Sequence, residues 1–207
     1  MSQSVREELK ARKQEFVQNE ITSAASELFA ANGFRAVTID DISAQLGYTK
    51  TVVYYYFKNK NQVLWTIFNQ INDAWAHDMD DILASGQDAP TMLWQMIRKH
   101  ALNVLEQTAW SAIYFREQSN LTEKQRETVN QRAKAFNENF RTVYAKGVKN
   151  GDFKDIPAPL VIGGIIGMCN WTHDWYTPGG SLEATQIAEH FADIMLNGCL
   201  LQDKAGA

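Results

Sequence analysis

Lys50, Thr51, Tyr54 and Tyr55 combine side-chain types at a spacing that can do chemistry. On a helix Lys50 and Tyr54 stand four apart, as do Thr51 and Tyr55, so each pair shares a face. An ammonium and hydroxyls near the start of a short helix can reach base edges. Tyrosine hydroxyls and Lys60 suit phosphate oxygens. Groups for bond-making chemistry are not organised in the same way. His77, His100, His173 and His190 are scattered, and the neighbours His173 and Asp174 diverge on a helix with no nucleophile at a telling spacing. Cys169 and Cys199 have no Cys or His at metal-ligand spacing, and there is no Gly-rich phosphate loop. The expectation is a binding protein and not an enzyme, with no cofactor.

The elements around these residues read as two short helices and a tight turn. Thr38 and Asp41 have the spacing of a reciprocal N-cap, and Asp40 and Asp41 place negative charge at a helix start. Ile39, Ile42 and Leu46 give that helix one apolar face. Gly47 suits a left-handed cap, and Thr49 can cap the next helix. Val53 and Phe57 are that helix's buried stripe, and Asn59 with Gln62 opens a third near Lys60. Tyr54, Tyr55 and Tyr56 span about 200° of helix surface at roughly 100° per residue, so at least one must point away from any single core. Two short helices joined by a Gly-containing turn are the signature of a DNA-reading motif.

Phe29, Gly33-Phe34, Thr38, Ile42, Gly47, Tyr54-Tyr55-Tyr56-Phe57-Lys58-Asn59-Lys60 and Leu64 together resemble the N-terminal domain of TetR-family transcriptional regulators over residues 14–64. The resemblance implies three N-terminal helices, with the one near 50–56 in the major groove. Carried over by position, Thr38, Tyr54, Tyr56 and Lys60 would hold phosphates, and Thr49, Lys50, Thr51 and Tyr55 would face bases. Val52 stands where the family very often has Thr, and Tyr56 where His is common.

The net charge of −4 looks wrong for a DNA binder until it is divided. Residues 1–60 hold eight basic and seven acidic side chains, the remainder twelve and seventeen. The excess acid therefore lies in the body, and DNA affinity must come from a local patch. The basic residues of the first part gather at 6–13 and around the second helix, and 6–13 reads equally well as a solvated helix end. The longest apolar run, 160–169, is too short to span a bilayer, and the N-terminus has no apolar signal core. Two cysteines without partners fit a reducing, cytoplasmic compartment.

Helical periodicity continues along the rest of the chain. A linker helix is expected from 60 to 84, then helices near 91–107, 109–119, 122–149, 157–176 and 182–201, with no period-2 strand run. The fold class is all-α. A three-helix helix-turn-helix domain, 1–60, precedes a helical bundle, 61–207, for ligand binding and dimerisation. The family resemblance implies a homodimer through the last two helices, where Gly163, Gly164 and Gly167 permit close approach. One short recognition helix reads few base pairs, so a two-fold pair on a palindromic operator is the economical arrangement.

The body is rich in aromatics and methionine, which build either a plain core or an apolar pocket. Asn170–Gly180, with Trp171 and Trp175 four apart before Pro178-Gly179-Gly180, is similar to the C-terminal domain of TetR-family repressors that bind acyl-CoA thioesters. The effector residues so implicated are Trp110, Phe136, Phe140, Met168, Asn170, Trp171 and Trp175, with Arg132 and Arg141 as cations for phosphates and Arg116 a weaker one. The resulting expectation is a repressor released from its operator by an acyl-CoA thioester. The same residues are compatible with a multidrug or small aromatic inducer, or with a DNA-associated protein that binds no ligand.

Overall fold

The computed structural model describes residues 3–201, with side chains from residue 5. The outermost residues of the two expected domains, 1–2 and 202–207, lie outside this range. The described chain is helical: α1 (Gln3–Asn32), α2 (Ile39–Gln45), α3 (Lys50–Tyr56), α4 (Lys60–Ala84), α5 (Ala89–Glu106), α6 (Thr108–Arg116), α7 (Glu123–Lys149), α8 (Ala158–Trp175) and α9 (Ala184–Cys199), with a 3-10 turn at Gln118–Asn120. One isolated β-bridge joins Phe153 to Leu200. Two compact units result among the described residues: 3–71 with 112–126, and 72–111 with 127–201. Compactness therefore divides the chain inside α4, α6 and α7.

In the first unit Val17, Ile21, Ala25 and Phe29 of α1 are buried with Ile39 and Ile42 of α2, Val53 of α3, and Val63, Leu64 and Ile67 of α4. The 3-to-4 spacing of these residues puts each set on one helix face. Gly33, at φ +78°, ends α1, and Gly47, at φ +65°, ends α2; both angles are strained for any residue with a side chain. Two polar links hold α2 and its turn to α1: Tyr48 Oη donates to Glu20 Oε2 at 2.6 Å, and Gln45 Nε2 donates to Glu27 Oε2 at 2.7 Å.

In the second unit α5 packs against α8 and α9. Asp88 caps α5 by accepting from Thr91 N–H at 2.8 Å, and Pro90 follows in its first turn, where its missing N–H costs nothing. The core is Met92, Leu93, Met96 and Ile97 of α5, Phe140 and Val143 of α7, Ile165 and Cys169 of α8, and Ile187 and Ala192 of α9. At the rim Trp94 Nε1 donates to Asp193 at 2.7 Å, and Arg98 pairs with Glu189 at 3.2 Å.

The segment after α7 is fastened by a close approach. Phe153 stacks on Tyr144, with centroids 5.6 Å apart and planes 11° from parallel. Tyr144 Oη donates to the Lys154 carbonyl at 2.6 Å and accepts from Ile156 N–H at 3.1 Å. Lys154 N–H donates to the Cys199 carbonyl at 2.8 Å. A Cβ on Gly147 would stand 2.2 Å from the Phe153 ring, so only glycine admits that ring. Gly147→Ala is expected to lower stability by about 1–3 kcal/mol, the usual cost of overpacking. Thermal unfolding checks this, and a midpoint equal to wild type would refute the close fit.

Candidate nucleic-acid interface and effector site

The reading helix is held from behind and left open in front. Val53 and Phe57 are buried, whereas Thr49, Lys50, Thr51, Tyr54 and Tyr55 are exposed, Tyr55 by 67%. Tyr56 is half-buried, with Tyr55 edge-on to it at 4.9 Å. The three tyrosines thus spread around the helix as the angular spacing requires. Thr49 occupies the N-cap position of α3, yet its side chain makes no capping hydrogen bond, contrary to the sequence expectation. Lys50 Nζ donates to Asp40 at 3.0 Å, which raises the ammonium's pKa above its ordinary value. That pair is exposed, so it is weak and exchangeable.

Two expected phosphate ligands hold partners within the motif, Thr38 at its exposed surface and Lys60 partly buried. Thr38 Oγ1 donates to Asp41 Oδ2 at 2.7 Å and accepts from Asp41 N–H at 3.2 Å, while Thr38 N–H donates to the same carboxylate at 2.8 Å. This is the capping box read from the T-x-x-D spacing. Thr38's hydrogen bonds hold Asp41 below the usual carboxylate pKa. Lys60 Nζ donates to the carbonyls of Phe34 (2.6 Å), Val37 (2.5 Å) and Arg35 (3.3 Å), and sits 4.3 Å from the centroid of the Phe34 ring. Its burial pulls the ammonium below its ordinary pKa, partly offset by the charges of Asp41 and Glu117. An ammonium has three protons to donate, and here three carbonyls take them. Lys60 therefore faces inward, a departure from the free phosphate ligand expected of it.

Sequence reasoning missed the other brace of this loop. Glu117 Oε1 accepts from Phe34 N–H at 3.1 Å, and Glu117 Oε2 accepts from Asn120 Nδ2 at 2.6 Å. Asn120 Oδ1 in turn accepts from Arg35 Nε at 3.3 Å. Two of these contacts, Phe34 to Glu117 and Arg35 to Asn120, join positions more than 80 residues apart, and no local pattern announces them.

In the second unit, aromatic side chains of two helices converge on His100 of α5. Trp75 of α4 stands edge-on to it at 5.5 Å, and Phe136 and Phe140 of α7 lie at 4.9 and 6.4 Å. His100 Nε2 is 2.9 Å from Asn170 Oδ1 of α8. His100 is buried, and burial pushes its pKa down to about 4, so the ring is neutral near pH 7. One turn before Phe136, Arg132 pairs with Asp73 at 2.9 Å, putting an exchangeable cation beside this aromatic box.

The structure therefore brings together Phe136, Phe140 and Asn170, with Arg132 adjacent, from the effector residues named above. Trp110 and Met168 are half-buried. Arg141 is exposed and pairs with Glu138 of its own helix at 3.6 Å. Trp171 and Trp175 depart from expectation: they are 61% and 46% exposed in the single chain, so they do not share an interior site with Phe136 and Phe140. With Leu160, Gly163 and Gly167 they form an open face of α8, and Ile194 is exposed on α9. Gly164 alone of the three glycines packs internally, where a Cβ would meet Met195 at 3.4 Å. His100 was legible only as one of four scattered histidines; a lone imidazole within an apolar helical stretch was the available signal.

Comparison with known proteins supplies the family. The description "Tetracyclin repressor-like, C-terminal domain" matches residues 86–199, and "Bacterial regulatory proteins, tetR family" matches residues 21–65. The HTH-type transcriptional repressor KstR2 of Rhodococcus jostii is 28% identical over 181 residues, covering 86% of this chain and 89% of that protein. The solved structure of the ketosteroid transcriptional regulator KstR2 of Mycobacterium tuberculosis is similar with a TM-score of 0.83 at 24% identity, covering 89% of this chain and 95% of that one. AibR, solved in complex with isovaleryl coenzyme A and operator DNA, has a TM-score of 0.76 at 21% identity, covering 86% and 96%. This chain belongs to the TetR family of bacterial regulatory proteins.

Proposed function

We propose that this chain is a cytoplasmic repressor that holds a palindromic operator as a homodimer and releases it when an acyl-CoA thioester occupies the second unit. The observation that carries the DNA half is the exposed set Thr49, Lys50, Thr51, Tyr54 and Tyr55 on a helix whose opposite side is buried. Thr49, Lys50, Thr51 and Tyr55 face bases and Tyr54 and Tyr56 reach phosphates, Lys50 exchanging Asp40 for DNA. Thr38 and Lys60 serve by holding the motif in shape. The reading domain is 1–60 and the effector and dimer domain 61–207.

The second copy sits on the open face of α8 and α9. Support comes from the apolar side chains exposed there, Leu160, Trp171, Trp175 and Ile194, beside two glycines with open space before them. An exposed apolar face of this kind marks an interaction site. A dimer buries Trp171 and Trp175 and sets two α3 helices at operator spacing.

For the effector, the aromatic box around His100 takes the acyl group, and Arg132 trades Asp73 for an anionic group of coenzyme A. The relatives support this chemistry: KstR2 is described as a ketosteroid regulator, and the same fold in AibR holds isovaleryl coenzyme A together with operator DNA. α4 and α6 each carry residues of both compact units, so a shift in either bears on the placing of α3. Release requires the effector to bind the DNA-free state more tightly; going from 1:99 to 99:1 takes about 5.5 kcal/mol of such difference.

Three measurements check these assignments, using an operator selected from random duplexes by the wild-type protein. In a panel of acyl-CoAs, free acids and planar cations, tryptophan fluorescence should respond to a CoA thioester, which should also release the DNA. Response only to free acids or cations would overturn the thioester reading. Lys50→Ala should cost about 1–3 kcal/mol of binding and relax base preference, whereas Lys60→Ala should lower thermal stability and affinity with an unchanged salt slope. A slope reduced by about one would return Lys60 to the phosphate ligands. Finally, Trp171→Glu combined with Ile194→Glu should sediment as a monomer and lose preference for the palindrome over its half-site; a persisting dimer would place the interface elsewhere.

A further inference from the structure

His100 leaves one of its polar atoms without a partner. Asn170 Oδ1 is an acceptor, so the imidazole nitrogen facing it at 2.9 Å, Nε2, carries the proton. A neutral ring has only one such proton, which leaves Nδ1 with a bare lone pair. Nδ1 is buried and has no hydrogen-bond partner among the described residues. Buried polar atoms are nearly always hydrogen-bonded, and an orphan costs about 1–3 kcal/mol. This orphan lies in a ring bounded by Trp75, Phe136 and Phe140. Trp75 and Phe140 are buried, while Phe136 is half-buried. Such a box favours an apolar body, but a plain hydrocarbon there would leave the lone pair unmet.

Resting on the acyl-thioester reading above, we propose that His100 Nδ1 is the acceptor for a hydroxyl carried on the acyl group, so that the effector class is a hydroxylated acyl thioester and not its unsubstituted parent. Asn170 acts as a positioning residue, because it fixes the tautomer that keeps Nδ1 an acceptor. A ketone at the same place would present a second acceptor to the lone pair and be rejected. The selectivity has the physical form of a site built to hydrogen-bond a substrate hydroxyl, which discriminates against the analogue lacking it.

The test uses the full-length protein and matched ligands: benzoyl-CoA with 3- and 4-hydroxybenzoyl-CoA, and cyclohexanecarbonyl-CoA with its 4-hydroxy and 4-keto derivatives, each also as the free acid. Calorimetric titration should show a hydroxylated member binding roughly threefold to tenfold more tightly than its parent, the worth of one neutral hydrogen bond. In His100→Phe, which cannot accept, that ratio should fall to about one. Because this variant can fail to fold, the ¹⁵N resonance of Nδ1 is followed in the wild-type protein labelled at histidine. It should move upfield with the preferred hydroxylated ligand and not with its parent. Thioesters that bind without regard to the hydroxyl, leaving the Nδ1 resonance still, would overturn the hydroxyl site while sparing the thioester reading. Hydroxylated free acids that bind and move the resonance while no thioester does would sustain the site and sink the thioester reading. A resonance unmoved by every ligand, as when an ordered water alone satisfies Nδ1, overturns the proposal.

Discussion

The ammonium of Lys60, donating to the carbonyls of Phe34, Arg35 and Val37, holds the turn on which the reading motif depends. That turn enters α2, and α2 sets the register of α3. Three carbonyls converging in a partly buried place would otherwise repel one another and go unsatisfied. One cation answers all three, and the face of Phe34 adds a favourable contact with it. The arrangement draws on both sides of the motif. Lys60 opens α4, while Glu117 and Asn120 hold Phe34 and Arg35 from beyond α6. The support of the motif is shared among distant segments, which leaves the outward face of α3 free to be polar.

The second unit uses the opposite device. Its centre is built around a neutral imidazole, kept uncharged by burial and oriented by Asn170. The two cysteines are equally quiet: both are buried free thiols, and burial pushes Cys169 up to about 12. Charge in this unit lies at rims, in Arg132 with Asp73 and Arg98 with Glu189. Rim pairs of this kind contribute little to stability and can be exchanged for another partner at small cost. A neutral interior with exchangeable ions around it suits an apolar ligand that carries an anionic group.

Much of this architecture was legible from periodicity and capping. The linker helix 60–84 has the bounds expected of it, and 157–176 and 182–201 differ from α8 and α9 by one or two residues at each end. Thr38 and Asp41 form the box their spacing describes. The burial of Val53 and Phe57 and the exposure of Tyr54 and Tyr55 followed from angular arithmetic alone. The sites were less legible. Trp171 and Trp175 share a helix face as their spacing requires, but spacing does not say whether that face turns inward. Lys60 shows the same limit, since a lysine at a helix start reads equally well as a phosphate ligand or as an internal clamp.

By itself the sequence determined the helices, their ends and which residues share a face, because those depend on interactions within four residues along the chain. It also determined that the acid lies in the body and that the hydroxyls and ammonium gather near α3. Tertiary structure alone decided where each face points. It turned Lys60 inward, left Trp171 and Trp175 open, and set His100 among Trp75, Phe136 and Asn170, residues between 25 and 70 positions away. Contacts at such separation depend on how whole helices pack, and no local pattern encodes the place where several packed faces meet.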